Sequence, residues 1–338
     1  MGTAREPRAD DTFDLPRFEP APLLANPHLQ SLWPFLFRRV PSTPIVTERW
    51  SLPDHERLAV HLAERPGRRP GVVVVHGLES SSEAQYVRGL LARIHRAGWN
   101  GAAFDLRSCG TRALPTRVAY HAGKTDDLVF VLERLCARWP GAPLAVVGFS
   151  LGGNLVLKCL GELGASAPVA AAVTVSVPFD LDRCATAVDG PGFWNTVYRT
   201  SILLSLKRKA LALAFRESGR LDPRAVLAVR TFADFDTHVT ARLFGFTGAA
   251  DYRARASAAP FLTAIRRPTL LIAAQDDPLV PPHAIPHQEI AANPALTLWL
   301  TERGGHLGFV SGTLRRPVYA AEEAAMAFLA TKFSRPPT

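Results

Sequence analysis

Apolar residues in this chain come in short, nearly unbroken runs separated by stretches of helical period. "GVVVV" (71–75), "AVVGF" (145–149), "VAAAVTVSV" (169–177) and "TLLIAA" (269–274) have the pattern of strands buried on both faces. "NGAAF" (100–104) and "ALTLWL" (295–300) add two more. Between them the period lengthens. "EAQYVRGLLARIHRAG" (83–98) reads as an amphipathic helix stopped by Gly98, and "TDDLVFVLERLCARWPG" (125–141) as a helix with Thr125 as N-cap and acids in its first turn. "LGGNLVLKCLGELG" (151–164) and "YAAEEAAMAFLATKF" (319–333) complete the helical set. Buried strands alternating with helices predict an α/β fold with a mostly parallel central sheet and helices on both faces.

Two segments break this rhythm. Residues 1–40 are dense in proline and aromatics, as in "FEPAPLLANPHLQSLWPFLF", which excludes a long regular helix and predicts a segment packed on the core. From about 180 to 260 the chain is mostly helical and holds "FWNTVYRTSILLSLKRKALALAFRESG". It is expected to be a helical cap inserted into the sheet domain of residues 41–338, not a second domain. No internal repeat or low-complexity tract is present.

Charge and composition narrow the classes. The chain has 338 residues, enough for a full core, and a net charge of +9. That balance favours anionic surfaces, but no recognition motif or aromatic-interleaved basic strip supports nucleic acid as a partner. No apolar run reaches the length of a membrane span, so no transmembrane anchor is expected. The start, "MGTAREPRADD", lacks an apolar core for a secretory signal, and Glu6 stands where a myristoylation signal needs Ser or Thr. A cytoplasmic protein is expected, with peripheral contact to the inner membrane face left open. Cys109, Cys136, Cys159 and Cys184 lack metal-site spacing and read as small buried thiols. No metal or organic cofactor is implied.

Candidate chemistry begins at "AVVGFSLGGN". Gly-x-Ser-x-Gly alone arises by chance in roughly a tenth of chains this long. Here it ends a predicted strand and opens a helix, the setting of a sharp elbow that exposes the Ser150 hydroxyl at a helix N-terminus. A serine hydroxyl needs a base oriented by an acid, and in this architecture the acid and then the histidine follow on later strand ends. Asp276 and Asp277 end the strand at 269–274, and His306 follows the one at 295–300. His283 and His287 lie in a proline-rich segment and read as surface residues. Backbone N–H groups of Leu151 and of Leu78, in the "HGL" that ends the 71–75 strand, are candidates for an oxyanion hole. His76 reads as a loop-orienting hydrogen bonder, and Glu79 with its serine run as turn and N-cap residues of the next helix. Phe193, Trp194 and Phe215 in the cap are candidates for an acyl pocket. Residues 194–216 are amphipathic and basic, either a cap helix with a solvated basic face or one that dips into an anionic bilayer.

"NPHLQSLWP", "VVVVHGLESSSEAQYVRGL", "YHAGKTDDL", "VGFSLGGNLVLKCLGE", "VSVPFDL", "PTLLIAAQDDPLVP" and "GGHLGFV" together resemble the YheT-like branch of the α/β-hydrolases, which includes eukaryotic ABHD lipid hydrolases. The similarity runs from about Asn26 to near the end of the chain. It departs at "DLRSCGTRALP" and at "DYRARAS", which bear on loop shape and substrate preference. The resemblance implies the α/β-hydrolase fold, hydrolysis of carboxylic esters (acylglycerols and phospholipids among them), and a triad of Ser150, Asp277 and His306. A non-catalytic binding protein, or another chemistry such as an amidase or cofactor-free peroxidase on the same residues, is the alternative.

Overall fold

The computed structural model describes residues 13–110, 119–216 and 219–334. The opening residues around Glu6 and the end of "DLRSCGTRALP" lie outside them. Eight strands form the central sheet: β1 (Val46–Ser51), β2 (Arg57–Ala63), β3 (Gly71–Val75), β4 (Asn100–Phe104), β5 (Leu144–Phe149), β6 (Ala171–Val175), β7 (Thr269–Ala274) and β8 (Leu296–Thr301). Their order is β1-β2-β4-β3-β5-β6-β7-β8. The β1–β2 and β2–β4 pairings are antiparallel, and all others are parallel.

Alternation along the strands sorts the core into two layers. Val73, Val75, Val146 and Leu271 face one side, with Leu128, Leu132, Val156 and Leu160 of the covering helices. Val72, Val74, Val147, Leu270 and Ile272 face the other, with Leu90, Ile94 and Phe328. A period of two on strands buried on both faces produces this division.

The β1–β2 hairpin was not apparent in the hydrophobic pattern, because β1 is an edge strand with only Trp50 fully buried. A small hairpin at Val310–Thr313 and Arg316–Tyr319 is equally faint in the pattern, with one buried residue in each strand.

Proline density in the first forty residues still permits an eleven-residue helix, α1 (Pro27–Phe37). Asn26 caps it by accepting from the N–H groups of His28 and Leu29, and Pro27 occupies the first turn, where no N–H is needed. The segment around α1 lies on the core. Phe13 packs edge-on against Phe328, and Phe18 against Phe309. Arg38 makes a two-point pair with buried Glu322 (2.5 and 2.9 Å), which Arg93 of α2 (Gln85–Arg96) also reaches at 3.0 Å.

Helices α3 (Asp126–Arg138) and α4 (Leu151–Leu163) cover one face of the sheet. Thr125 precedes α3 but does not cap it; its hydroxyl donates to Glu162 at 2.6 Å. Between β6 and β7 run α5 (Leu181–Asp189), the 24-residue α6 (Phe193–Arg216) and shorter helices up to Ala256. One face of α6, with Leu203, Ala210 and Ala214, meets Val226, Phe235 and Val239 in a core of its own. Among the described residues no helix is long and apolar enough to cross a membrane.

Candidate active site

The site lies at the carboxyl edge of the parallel strands, where β3, β5, β6, β7 and β8 end side by side. Ser150 links β5 to α4 with φ 50° and ψ −121°, a conformation an L-residue adopts only under strain. Two glycines make this turn fit. A Cβ on Gly148 would come within 2.6 Å of the Gly152 carbonyl, and one on Gly152 within 2.4 Å of the His76 carbonyl. The Ser150 N–H is held by the Val175 carbonyl at 2.8 Å.

His306 Nε2 lies 3.0 Å from Ser150 Oγ, and its Nδ1 lies 2.9 and 3.0 Å from the two carboxylate oxygens of Asp277. Asp277 is buried, and one of its oxygens also accepts from the Leu279 and Val280 N–H groups (2.9 and 3.1 Å). A carboxylate only accepts, so it holds Nδ1 as the protonated nitrogen, leaving Nε2 as the acceptor toward Ser150. Asp276 turns away. Its Oδ1 accepts from the Gly305 N–H at 2.9 Å, while its Oδ2 is buried without a partner. Burial, and secondarily the neighbouring Asp277 charge, pushes the Asp276 carboxyl above its ordinary range, against the hydrogen bond from Gly305. His283 and His287 are exposed, on the turn and helix beyond Asp277, and neither lines the cavity in front of Ser150.

The loop of His306 is secured by residues that the sequence did not single out. Ser31 of α1 accepts from the His306 N–H at 2.8 Å, and Ser176 from the Leu307 N–H at 3.2 Å. Gln30 beside it, fully buried, donates to the Val310 carbonyl at 3.0 Å and accepts from its N–H at 2.7 Å. The signal was an isolated glutamine and serine inside the apolar "PHLQSLWP".

Leu78 and Leu151 both border the cavity in front of Ser150. The Leu151 N–H stands in the first turn of α4, where helical geometry supplies no acceptor. Leu78 is flanked by two fixed amides: Gly77 donates to the Tyr86 hydroxyl and Glu79 to the Tyr120 hydroxyl, each at 3.0 Å. His76 is fully buried. It accepts the Leu106 N–H on Nε2 (3.0 Å), so its proton sits on Nδ1, toward the Gly77 carbonyl at 2.8 Å. Burial lowers the imidazole pKa, favouring the neutral ring, whose two hydrogen bonds orient the loop.

Glu79 stands in the turn at 78–79 with φ 52°, as expected, but nothing before α2 caps it through a side chain, since its N-cap Ala84 makes no side-chain cap bond. The Glu79 side chain is only 5% exposed and reaches the cap helix instead. Lys209 donates to it at 2.9 Å, Tyr120 at 2.8 Å, and Ser205 donates to its other oxygen. This pairing was illegible because its partner lies 130 positions away.

The cavity has a volume of about 260 Å³ and is walled by Leu181, Val188, Ile202, Leu206, Phe232 and Tyr252, with His121 and Asp236 at its side. A second cavity of about 210 Å³ adjoins it across Tyr120, Leu206, Phe235 and Thr240. Phe193, Trp194 and Phe215 do not line the Ser150 cavity. Phe193 and Phe215 are 74% and 77% exposed, and Trp194 stacks on His28 at 4.4 Å. The apolar spacing along α6 was real, but the residues facing inward are Ile202 and Leu206. Among the described residues no three His, Cys, Asp or Glu side chains form a group able to hold a metal ion.

His121 packs against Phe244 and Tyr252 of the cap, and its Nδ1 accepts from the Gly123 N–H at 3.1 Å. Burial, with Lys124 and Lys158 nearby, lowers its pKa to about 4. The fold therefore favours the neutral ring. Its contribution is complete above the unfolded pKa near 6.5 and is lost as pH falls through about 4. Between about pH 7 and 4 the protein is expected to lose up to ~3 kcal/mol more unfolding free energy than the His121→Asn variant, by urea titration. Equal losses would refute this linkage.

The comparisons agree with this architecture. The family described by the alpha/beta hydrolase fold matches residues 70–313. YheT of Escherichia coli strain K12 is 37% identical over 305 residues, covering 89% of each chain. Mouse phospholipase ABHD3 is 31% identical over 246 residues, 72% of this chain and 59% of that one. The Pyrococcus furiosus esterase Pf2001 superposes with a TM-score of 0.54 at 17% identity over 88% of this chain and 96% of its own, a likeness of fold. With a family match across most of the sheet domain and YheT aligned along nearly its whole length, the chain belongs to the α/β-hydrolase family, in its YheT-like branch.

Proposed function

We propose that this hydrolase is a serine carboxylic ester hydrolase that works through an acyl-enzyme on Ser150. The observation that carries the proposal is the unbroken hydrogen-bond relay from Asp277 through His306 to Ser150, opening on an apolar cavity. In this mechanism His306 Nε2 takes the Ser150 proton as Oγ attacks the ester carbonyl carbon. The Leu78 and Leu151 N–H groups hold the resulting oxyanion, and Asp277 keeps the imidazolium aligned. Collapse breaks the carbon–oxygen bond, and the alcohol leaves with the proton from His306. Water then attacks the acyl carbon, giving a proton to His306. Ser150 recovers that proton as the carboxylic acid departs.

A cavity of about 260 Å³ lies near the lower end of ligand-sized pockets, ~300–1,000 Å³, and suits a short or medium acyl chain. The similarity to a phospholipase extends the proposed substrates to phospholipids, with acylglycerols in the same class. Among p-nitrophenyl esters, kcat/KM is expected to peak between butyrate and octanoate, at least about tenfold above palmitate. A peak at acetate would remove the cavity from acyl recognition. The nucleophile itself is tested by a fluorophosphonate probe: wild type should label and Ser150→Ala should not. Equal labelling of both, or of neither, sinks the proposal.

A further inference from the structure

Among the described residues, eight of the twelve exposed large hydrophobic side chains fall on two helices, α1 and α6. On α1 they are Leu29, Phe35, Leu36 and Phe37, with Phe35 67% exposed. On α6 they are Phe193, Val197, Leu204 and Phe215. The α6 set, together with exposed Arg208, is spaced by four and seven residues and forms one helix face, roughly opposite Ile202, Leu206 and Leu213, which line the cavities.

The two helices lie side by side. His28 of α1 stacks on Trp194 and hydrogen-bonds the Tyr198 hydroxyl at 3.0 Å. Seven residues further along α1, Pro34 and Phe35 face Ser205 and Lys209 across a groove. Glu79 and Leu307, the chain neighbours of Leu78 and His306, also line it, as does exposed Glu83.

Neither helix contains an acidic residue. Arg199, Lys207 and Lys209 are turned to partners within the protein: Arg199 to the carbonyls ending α5, Lys207 to the Leu227 and Val229 carbonyls, Lys209 to Glu79. The basic face expected of α6 is thus largely internal. The exposed cations around the apolar surface are Arg39, Arg208 and Arg216. Exposed phenylalanines and leucines with arginines beside them, on two helices that carry no acid, suit a surface with anionic headgroups over an apolar interior, against the single exposed carboxylate of Glu83 in the groove. A second copy of the chain fits less well, because a two-fold contact through this face would set its arginines against themselves.

We propose that the α1–α6 surface docks on an anionic lipid bilayer, with the groove between the helices turned toward the lipid. The docking stands independently of the ester-hydrolase reading, while the groove's use as a substrate route rests on it. The test is flotation of the full chain with vesicles of phosphatidylcholine alone and of phosphatidylcholine with about one-third phosphatidylglycerol. Binding is expected to the anionic vesicles and to weaken several-fold as salt rises toward about 0.5 M. The pairs Phe193→Ser/Phe215→Ser, Phe35→Ser/Phe37→Ser and Arg208→Glu/Arg216→Glu should each weaken it about tenfold. All three should hydrolyse soluble p-nitrophenyl butyrate within about twofold of wild type, since none of these side chains reaches the Ser150 cavity.

Absence of vesicle binding, or binding that all three pairs leave intact, would overturn the proposal. So would a dimer in gel filtration that the Phe193→Ser/Phe215→Ser pair dissociates. Failure of wild type to cleave the soluble ester would count against the hydrolase mechanism alone and leave the vesicle result standing.

Discussion

Replacing Ser150 with alanine is expected to lower kcat/KM on p-nitrophenyl butyrate by about 10⁴-fold or more, with the fold intact. The size of the loss follows from the role proposed for Oγ. It makes the bond to the acyl carbon, so without it His306 has no hydroxyl to activate and the reaction falls back on water. The Leu78 and Leu151 donors and the cavity remain, and they leave a residue of catalysis above the uncatalysed rate. Stability should separate two substitutions that are equally inactive. Alanine at φ 50° and ψ −121° keeps the backbone strain of Ser150, whereas glycine relieves it. Ser150→Gly is therefore expected to unfold at higher denaturant than Ser150→Ala, by about 1 kcal/mol. A Ser150→Ala enzyme retaining more than about a hundredth of wild-type kcat/KM would mean that another group attacks the ester.

The sequence exposed those parts of this arrangement that depend on local rules. Strands buried on both faces show as apolar runs, so β3 to β8 and the α/β class were visible. The sharp strand-to-helix turn at Ser150 shows because only glycine fits at 148 and 152, where any Cβ would strike backbone. Asp277 and His306 showed because they follow strands that end on one edge. What stayed hidden depends on distant partners. Glu79 meets Lys209 and Ser205 only after the cap has folded over the sheet. Ser31 reaches the His306 loop across 275 positions. The inward face of α6 was hidden for a further reason: a helix apolar on two sides does not declare which side packs. Phe193 and Phe215 are larger than Ile202 and Leu206, yet they are the ones left outside.

Adjacent aspartates give the sharpest remaining test, because they should respond very differently to the same one-atom change. Asp277→Asn is expected to lower kcat on p-nitrophenyl butyrate by about 10³ to 10⁴, while Asp276→Asn should stay within about tenfold of wild type. Asp277 accepts from Nδ1 of His306, which fixes the proton on that nitrogen and leaves Nε2 free to take the Ser150 proton. The Leu279 and Val280 N–H groups hold the oxygen at position 277, so an asparagine there would turn its amide N–H₂ toward Nδ1. The ring would then carry its proton on Nε2, pointing a donor at Ser150 where an acceptor is needed. Asp276 makes no contact with the ring. Its hydrogen bond from the Gly305 N–H can pass to the amide oxygen of asparagine. The neutral side chain also removes a buried carboxyl that lacks a second partner and stands beside another charge. Asp276→Asn should for that reason be at least as stable as wild type at neutral pH. The reverse pattern, with Asp276→Asn crippled and Asp277→Asn active, would transfer the orienting role to Asp276 and require the His306 loop to rearrange when substrate binds.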